Sequence, residues 1–296
     1  MRAVVTGGAG FIGSHVVDAL VERGDEVTVV DNLSSGKREN LNPAARFVEA
    51  DIRDGLDVQA DVIFHLAAQA DVNTSVQRPD YDADVNVRGT VRVLEAAREN
   101  GAQVIFSSTG GAIYGECERP AREDDPRRPM SPYGIAKLAG EEYLQGWNRM
   151  YGADHVVLRF ANVYGSRQDS GLEGGVVAIF LERMHAGQKT AIYGDGLQTR
   201  DFVDVGDIVG GLLAAVGREG GVFNLGTGRE TTVREIHELC RRVSGSIDEP
   251  TIADARVGDV QRSVLDATRA REELGWSAEP DLEPGFRRIW EWMQST

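Results

Sequence analysis

Tyr133 and Lys137 stand four residues apart in Ser131-Pro132-Tyr133-Gly134-Ile135-Ala136-Lys137. On a helix that spacing puts both side chains on one face, about 5–6 Å apart at Cβ. A phenol beside an ammonium is a proton-transfer pair. Free tyrosine titrates near about 10, and lowering that value by three units takes roughly 4 kcal/mol at about 1.4 kcal/mol per unit. Positive charge shielded from water can supply it. Taken alone the pattern is common on ordinary helix surfaces, so its neighbours decide what it means.

Thr6-Gly7-Gly8-Ala9-Gly10-Phe11-Ile12-Gly13 lies between a buried-strand pattern and a helical one. Glycines there make a tight turn, let the backbone approach phosphates and let helix pack on strand, while the helix N-terminus adds partial positive charge. That combination suits a dinucleotide pyrophosphate. Asp31 ends the second strand pattern, where a carboxylate accepts hydrogen bonds from the adenosine ribose hydroxyls. It favours NAD over NADP, because a 2′-phosphate would meet like charge and no arginine stands directly beside Asp31. Asp51 and Ile52 follow the third strand pattern, where an adenine edge can be held. An oxidised nicotinamide ring, itself positive, would join Lys137 in acidifying Tyr133.

These residues need elements to position them. Apolar, β-branched runs at Arg2–Thr6, Glu26–Asp31, 46–51, 61–66, 103–108 and Val156–Phe160 read as strands covered on both faces. Helical patterns at 11–23 and 87–99 stop at Gly24 and Gly101, and a third starts where Ser131 caps and Pro132 fills the first turn, running to about Tyr151. Strands alternating with helices predict an α/β chain built on a doubly wound parallel sheet. Beyond residue 165 the pattern loosens around glycine-rich stretches, which predicts a smaller substrate-covering region over 166–296. Residues 201–216 again read as strand then helix, so 200–227 is expected to return to the first domain, 1–165.

With 296 residues, 41% of them hydrophobic, the chain can bury a large core. A net charge of -15 argues against nucleic acid or an anionic membrane surface as a partner. Two distant cysteines, Cys117 and Cys240, and five scattered histidines suggest neither a disulfide framework nor a metal site. The first residues are too short an apolar run for a signal-peptide core, and no stretch is apolar enough to span a membrane, so a cytoplasmic setting is expected.

The glycine turn, Asp31, Ser107-Ser108-Thr109 at the end of the fifth strand, the tyrosine–lysine pair on the next helix, His65-Leu66-Ala67-Ala68 and Asn86 together resemble the extended short-chain dehydrogenase/reductase family, in its NAD-dependent epimerase/dehydratase branch, over essentially the whole chain. The resemblance implies a Rossmann-type domain with NAD and a C-terminal region holding a nucleotide sugar. It implies Tyr133 as base, Lys137 as the residue that binds the nicotinamide ribose and lowers the tyrosine pKa, and Thr109 as the hydroxyl bonded to the substrate oxygen. By the same resemblance NAD is held by Gly7, Gly10, Phe11, Ile12 and Gly13, by Asp31, Asn32, Ser35 and Gly36, and by Asp51 and Ile52. Leu66, Ala67, Ala68, Gln69, Asn86, Ser107, Ser108 and Phe160 complete that set.

Members of the family that remove water from a sugar follow the threonine with an Asp-Glu pair, whereas Gly110-Gly111 stand here. Asp31-Asn32-Leu33-Ser34-Ser35-Gly36, Ser107 to Gly115 and Arg159-Phe160-Ala161-Asn162-Val163-Tyr164-Gly165 are similar instead to the members that epimerise UDP-hexoses at C4. In that likeness Asn162, Arg200 and Arg256 hold the diphosphate, and Val177, Tyr193 and Asp259 complete the sugar-nucleotide site. Bidentate arginines reconcile an anionic substrate with an acidic protein. Ser263, four residues after Asp259, replaces a bulky residue of glucose- and galactose-restricted relatives, which implies room for N-acetylhexosamines. The resemblance also implies a homodimer joined by the helices at 87–99 and Pro132–Tyr151. A reductase or decarboxylating enzyme on the same scaffold would instead consume or produce NAD(P)H stoichiometrically. A non-catalytic NAD-sensing module would leave the set Tyr133, Lys137 and Thr109 unexplained.

Overall fold

A computed structural model describes residues 1–171, 175–255 and 260–295. The chain runs β1 (Arg2–Thr6), α1 (Phe11–Glu22), β2 (Glu26–Asp31), β3 (Arg46–Glu49), β4 (Val62–His65), the short helices α2 (Val72–Gln77) and α3 (Pro79–Ala83), then α4 (Gly89–Asn100). It continues through β5 (Gln103–Thr109), the single turn α5 (Gly110–Ile113), α6 (Pro132–Tyr151) and β6 (Val156–Phe160). Each expected strand and helix of this half is present within a few residues of its expected bounds. Helix α4 starts later than the pattern at 87–99, because a wider, π-type turn at Asp84–Arg88 precedes it. The predicted start of α6 is realised: Ser131 Oγ accepts from the Gly134 amide at 3.1 Å and Pro132 opens the helix.

The second half contributes β7 (Asn162–Tyr164), α7 (Val176–His185), β8 (Ala191–Tyr193), β9 (Thr199–Arg200), β10 (Phe202–Asp204), α8 (Val205–Ala214) and β11 (Gly221–Leu225). After these come β12 (Thr231–Thr232), α9 (Val233–Ser244), β13 (Thr251–Ala253), β14 (Arg262–Ser263) and α10 (Glu283–Ser295). Strand β11 pairs with β6, giving a seven-stranded sheet of order β11-β6-β5-β4-β1-β2-β3, parallel throughout. The remaining short strands form three small sheets, among them β12-β9-β14.

Helices cover both faces of the large sheet. Val16, Val17 and Leu20 of α1 and Ile208 and Leu212 of α8 pack on one side. Val93 and Leu94 of α4 and Leu144 and Trp147 of α6 pack on the other. Burial on both faces is why the strands read as continuous apolar runs. A third cluster, including Phe180, Leu181, Ile236, Phe286 and Ile289, joins α7, α9 and α10. The strand order reverses between β1 and β4, and the crevice outside the carboxyl ends of strands at such a switch point is where α/β sheets take ligands. Among the described residues, no helix is long and apolar enough to cross a membrane.

Candidate active site

A cleft of about 1230 Å³ opens at that switch point. Its floor is the turn from β1 to α1. Gly7 has φ +73, and a Cβ there would lie 2.7 Å from the Ala67 amide nitrogen; a Cβ on Gly13 would run into the Gly7 carbonyl. Helix α1 follows Gly10, an N-cap with no side-chain bond, so the amides of its first turn, at Phe11, Ile12 and Gly13 on the cleft, have no side-chain cap. The Asp31 carboxylate, buried at the end of β2, accepts from the Ala9 amide at 3.0 Å and the Leu33 amide at 2.8 Å. Each oxygen retains a lone pair for a ribose hydroxyl. Gly36 does not line the cleft but lets the loop close behind Asp31, since a Cβ there would sit 2.8 Å from Asp31 Oδ1. These features fit a dinucleotide: a cradle that side chains would fill, uncapped helix amides and a carboxylate with acceptor capacity to spare.

Asn32, Ser35, Asp51 and Ile52 line the same end. Asp51 accepts from Asn32 Nδ2 at 2.8 Å, and the Arg53 guanidinium, bonded to it at 2.8 and 2.9 Å, holds its carboxyl well below the usual carboxylate range. Leu66, Ala67, Ala68 and Gln69 form the opposite wall. Asn86 lies behind that wall rather than in it. Its Oδ1 accepts from the Gln69 amide at 2.9 Å and its Nδ2 donates to the Gln69 carbonyl at 2.8 Å, so it fixes the loop.

His65 sits beneath the same loop, buried. Thr90 Oγ1 donates to the Asn86 carbonyl at 2.7 Å, so His65 Nε2 must donate to Thr90 at 3.0 Å, and Nδ1 accepts from Thr6 Oγ1 at 2.8 Å. Burial, with the Lys137 charge nearby, pushes its pKa down to about 3, and the imidazole is neutral.

Lys137 is buried on α6, where its ammonium donates to the Ser107 carbonyl at 3.0 Å and lies 4.9 Å from the Phe106 ring centroid. Burial pushes its pKa down to about 8, opposed by the Asp82 and Glu141 carboxylates. Tyr133, one turn earlier, opens on the cleft with Lys137, Thr109 and Phe160. Thr109 Oγ1 accepts from the Ala112 amide at 3.3 Å, which leaves its own O–H to donate. Ser107 and Ser108 also reach the cleft, yet their hydroxyls turn inward, Ser107 to the His65 carbonyl at 3.0 Å and Ser108 to Glu141 at 2.5 Å.

The far wall carries Asn162, Tyr193 and Arg200. Val177 is instead fully in the core; Val176 and Ile179 of α7 face the cleft, while Val177, Leu181 and Met184 face inward. That helical spacing is the signal by which the two faces are told apart. Phe180, Gln168, Gln198 and Val233 also line the cleft and carry no motif that would single them out. Arg256 and Asp259 lie outside the described residues. Thr109, Asn162 and Ser263 converge around Gly111: a Cβ there would stand 4.0 Å from Thr109 Oγ1, 3.6 Å from Asn162 Oδ1 and 3.9 Å from Ser263 Oγ. A Cβ on Gly110 would lie 2.6 Å from the Leu265 side chain, which would have to shift to admit a larger residue there, whereas Gly111 has ordinary van der Waals room.

Residues 3–226 match the model of the NAD dependent epimerase/dehydratase family. The chain is 47% identical over 310 residues to a UDP-glucose 4-epimerase of Mycolicibacterium smegmatis, covering 100% of this chain and 99% of that one. Among solved structures it is similar to the UDP-glucose 4-epimerase of Thermotoga maritima with UDP-glucose, at TM-score 0.96 and 48% identity, covering 100% and 99% of the two chains. It is also similar to the UDP-glucose 4-epimerase of Thermus thermophilus in complex with NAD, at TM-score 0.91 and 40% identity, covering 100% of both. With the glycine cradle, the buried Lys137 and the open face of Tyr133 all on one cleft, the chain belongs to the NAD-dependent epimerase/dehydratase family.

Proposed function

We propose that the protein interconverts UDP-hexoses at C4, UDP-glucose with UDP-galactose, and keeps NAD as a resident cofactor. The observation that carries this reading is that Tyr133, Lys137 and Thr109 open on the same cleft as the Gly7 to Gly13 turn and Asp31, with Asn162 and Arg200 across from them. The named relatives support UDP as the nucleotide.

Bound NAD supplies a hydride acceptor and donor. Tyr133, as phenolate, takes the proton from the sugar 4-hydroxyl and later returns it. Lys137 stabilises that phenolate by charge, held in place by its bond to Ser107. Thr109 donates to the same sugar oxygen. Arg200 and Asn162 grip the diphosphate while the hexose turns over, so binding energy is concentrated on the half of the substrate that does not react. The remaining residues of the cofactor and substrate sets that open on the cleft act by binding, with Asn86 and Gly36 supporting the walls from behind.

Ser263 is buried beside Asn162 and Thr109, just behind the cleft lining, and a small residue there in place of a bulky one is the basis for reading N-acetylhexosamines as accepted as well; turnover of UDP-N-acetylglucosamine tests this, and none would remove it. The dinucleotide-binding domain is read as 1–165 with 200–227, and 166–296 as the nucleotide-sugar region, supported by the pairing of β11 with β6. A homodimer through α4 and α6 is supported by Ile135, Tyr143, Met150 and Tyr151, exposed along α6; light scattering on the purified protein tests it. Free Cys117 and Cys240 accord with a reducing, cytoplasmic setting.

The deciding experiment incubates the purified protein with UDP-galactose and no added cofactor. UDP-glucose should form, and NAD should be released on denaturation. Stoichiometric production of NADH, or no conversion with NAD present, would reject epimerisation.

A further inference from the structure

Arg200 and Asp201 are adjacent, at the junction of β9 and β10, and their side chains part company. Arg200 lines the cleft, whereas Asp201 turns inward and is 1% exposed. Alternation along an extended chain makes one residue available to ligand and the next to the interior.

The Asp201 carboxylate accepts four hydrogen bonds. Oδ1 takes the Thr227 amide at 2.9 Å and the Thr227 hydroxyl at 2.6 Å, and Oδ2 takes the amides of Gly228 at 3.1 Å and Leu265 at 3.3 Å. Its backbone is equally engaged: the carbonyl accepts from the Asn162 amide at 2.8 Å, and the amide donates to the Ser263 carbonyl at 3.0 Å. One residue thus joins the start of β7, the β9–β10 junction, the loop after β11 and the end of β14. Three of those segments carry Asn162, Arg200 and Ser263. Bonds to an ionised acceptor are roughly twice as strong as neutral ones, and four of them occupy the lone-pair capacity of a carboxylate. Asparagine at this site has one oxygen and one N–H₂ group, so two of the four donors would face another donor.

We propose that Asp201 is a positioning residue for sugar-nucleotide binding: without touching the ligand, its carboxylate anchors the β9–β10 junction, which presents Arg200 and bonds Asn162 and Ser263 through the Asp201 backbone, to the loop after β11 and to Leu265 beyond β14. This rests on the UDP-hexose reading given above. Asp201 then acts on binding rather than on the proton-transfer chemistry of Tyr133, which sits on a different element.

The test uses full-length, NAD-loaded enzyme, steady-state kinetics with UDP-galactose and calorimetric titration with UDP. Asp201→Asn should raise KM and the UDP dissociation constant by at least about tenfold, since two of the four charge-assisted bonds are lost, with kcat and NAD content close to wild type. A merely structural role would lower the active fraction, and hence kcat, with KM unchanged, and that pattern overturns the proposal. Should Asp201→Asn fail to fold, Thr227→Val, which removes one of the four donors, should still raise KM about threefold to tenfold, and Thr227→Ser should restore it. Equal KM for Thr227→Val and wild type overturns it too. If wild-type protein binds no UDP, the function reading falls and takes this inference with it; if wild type and Asp201→Asn bind UDP equally, only the inference falls.

Discussion

The Glu141 carboxylate and the Arg159 guanidinium meet at 2.6 Å with both side chains 1% exposed, one helical turn beyond Lys137. Arg159 also donates to the Tyr114 hydroxyl at 2.6 Å, and Glu141 receives the Ser108 hydroxyl, so the pair joins α6 to β5 and β6 directly under the cleft. Removing one partner from a buried pair leaves an uncompensated charge, which costs about 3–5 kcal/mol. Arg159→Met should lose that much in urea unfolding, and combining it with Glu141→Gln should recover part of the loss. A single variant within about 1 kcal/mol of wild type would contradict this account.

The glycine cradle makes a separate prediction. In Gly13→Ala the new methyl group runs into the Gly7 carbonyl, and the turn must open to admit it. NAD binding should weaken by at least about tenfold, equivalent to about 1.4 kcal/mol. The NAD released by denaturing purified wild type and variant measures this; an undiminished NAD content would show that the turn is not the phosphate cradle.

Tyr133→Phe removes the phenol and little else. Epimerisation should fall by about 10²–10⁴-fold, the range for loss of a general acid–base group, while NAD stays bound. Wild-type turnover in that variant would remove Tyr133 from the chemistry.

Acid should destabilise the fold through its buried histidines. Burial pushes the pKa of His65 to about 3 and that of His155 to about 4, whereas an unfolded histidine titrates near about 6.5. Below that value the unfolded chain takes up protons that the folded chain refuses, so stability is full above about 6.5 and is lost as pH falls toward the folded pKa values. The slope approaches about 1.4 kcal/mol per pH unit for each histidine. His65→Gln should flatten the dependence between pH values of about 6.5 and 4 in urea midpoints; an unchanged slope would show that His65 is not buried neutral.

Much of the dinucleotide half was legible because its signals are local. A strand buried on both faces shows as a run such as Ala3-Val4-Val5, and α6 announces itself through Ser131 and Pro132. The second half of the chain was harder to read. Strands β9, β12 and β14 have two residues each, too few for any period to register, and their existence depends on partners distant in the chain. Val177 illustrates the same limit at the level of one side chain: it stands beside a cleft residue, Val176, but α7 turns it into the core. Asn86 and Gly36 were legible as residue types but not in their placement, since both support the walls of the cleft from behind. The ring of groups around Asp201 leaves no trace in the sequence, because its donors come from residues 227, 228 and 265.

Strand β11 closes the β6 side of the large sheet, and it arrives only after residue 220. During synthesis, Val156–Phe160 therefore emerges as an unpaired, largely apolar edge well before its neighbour exists. A nascent or truncated chain ending at residue 165 would display that edge to any other strand, a template for self-association. Such a fragment should be recovered in aggregates, whereas one extended through residue 227 should stay dispersed.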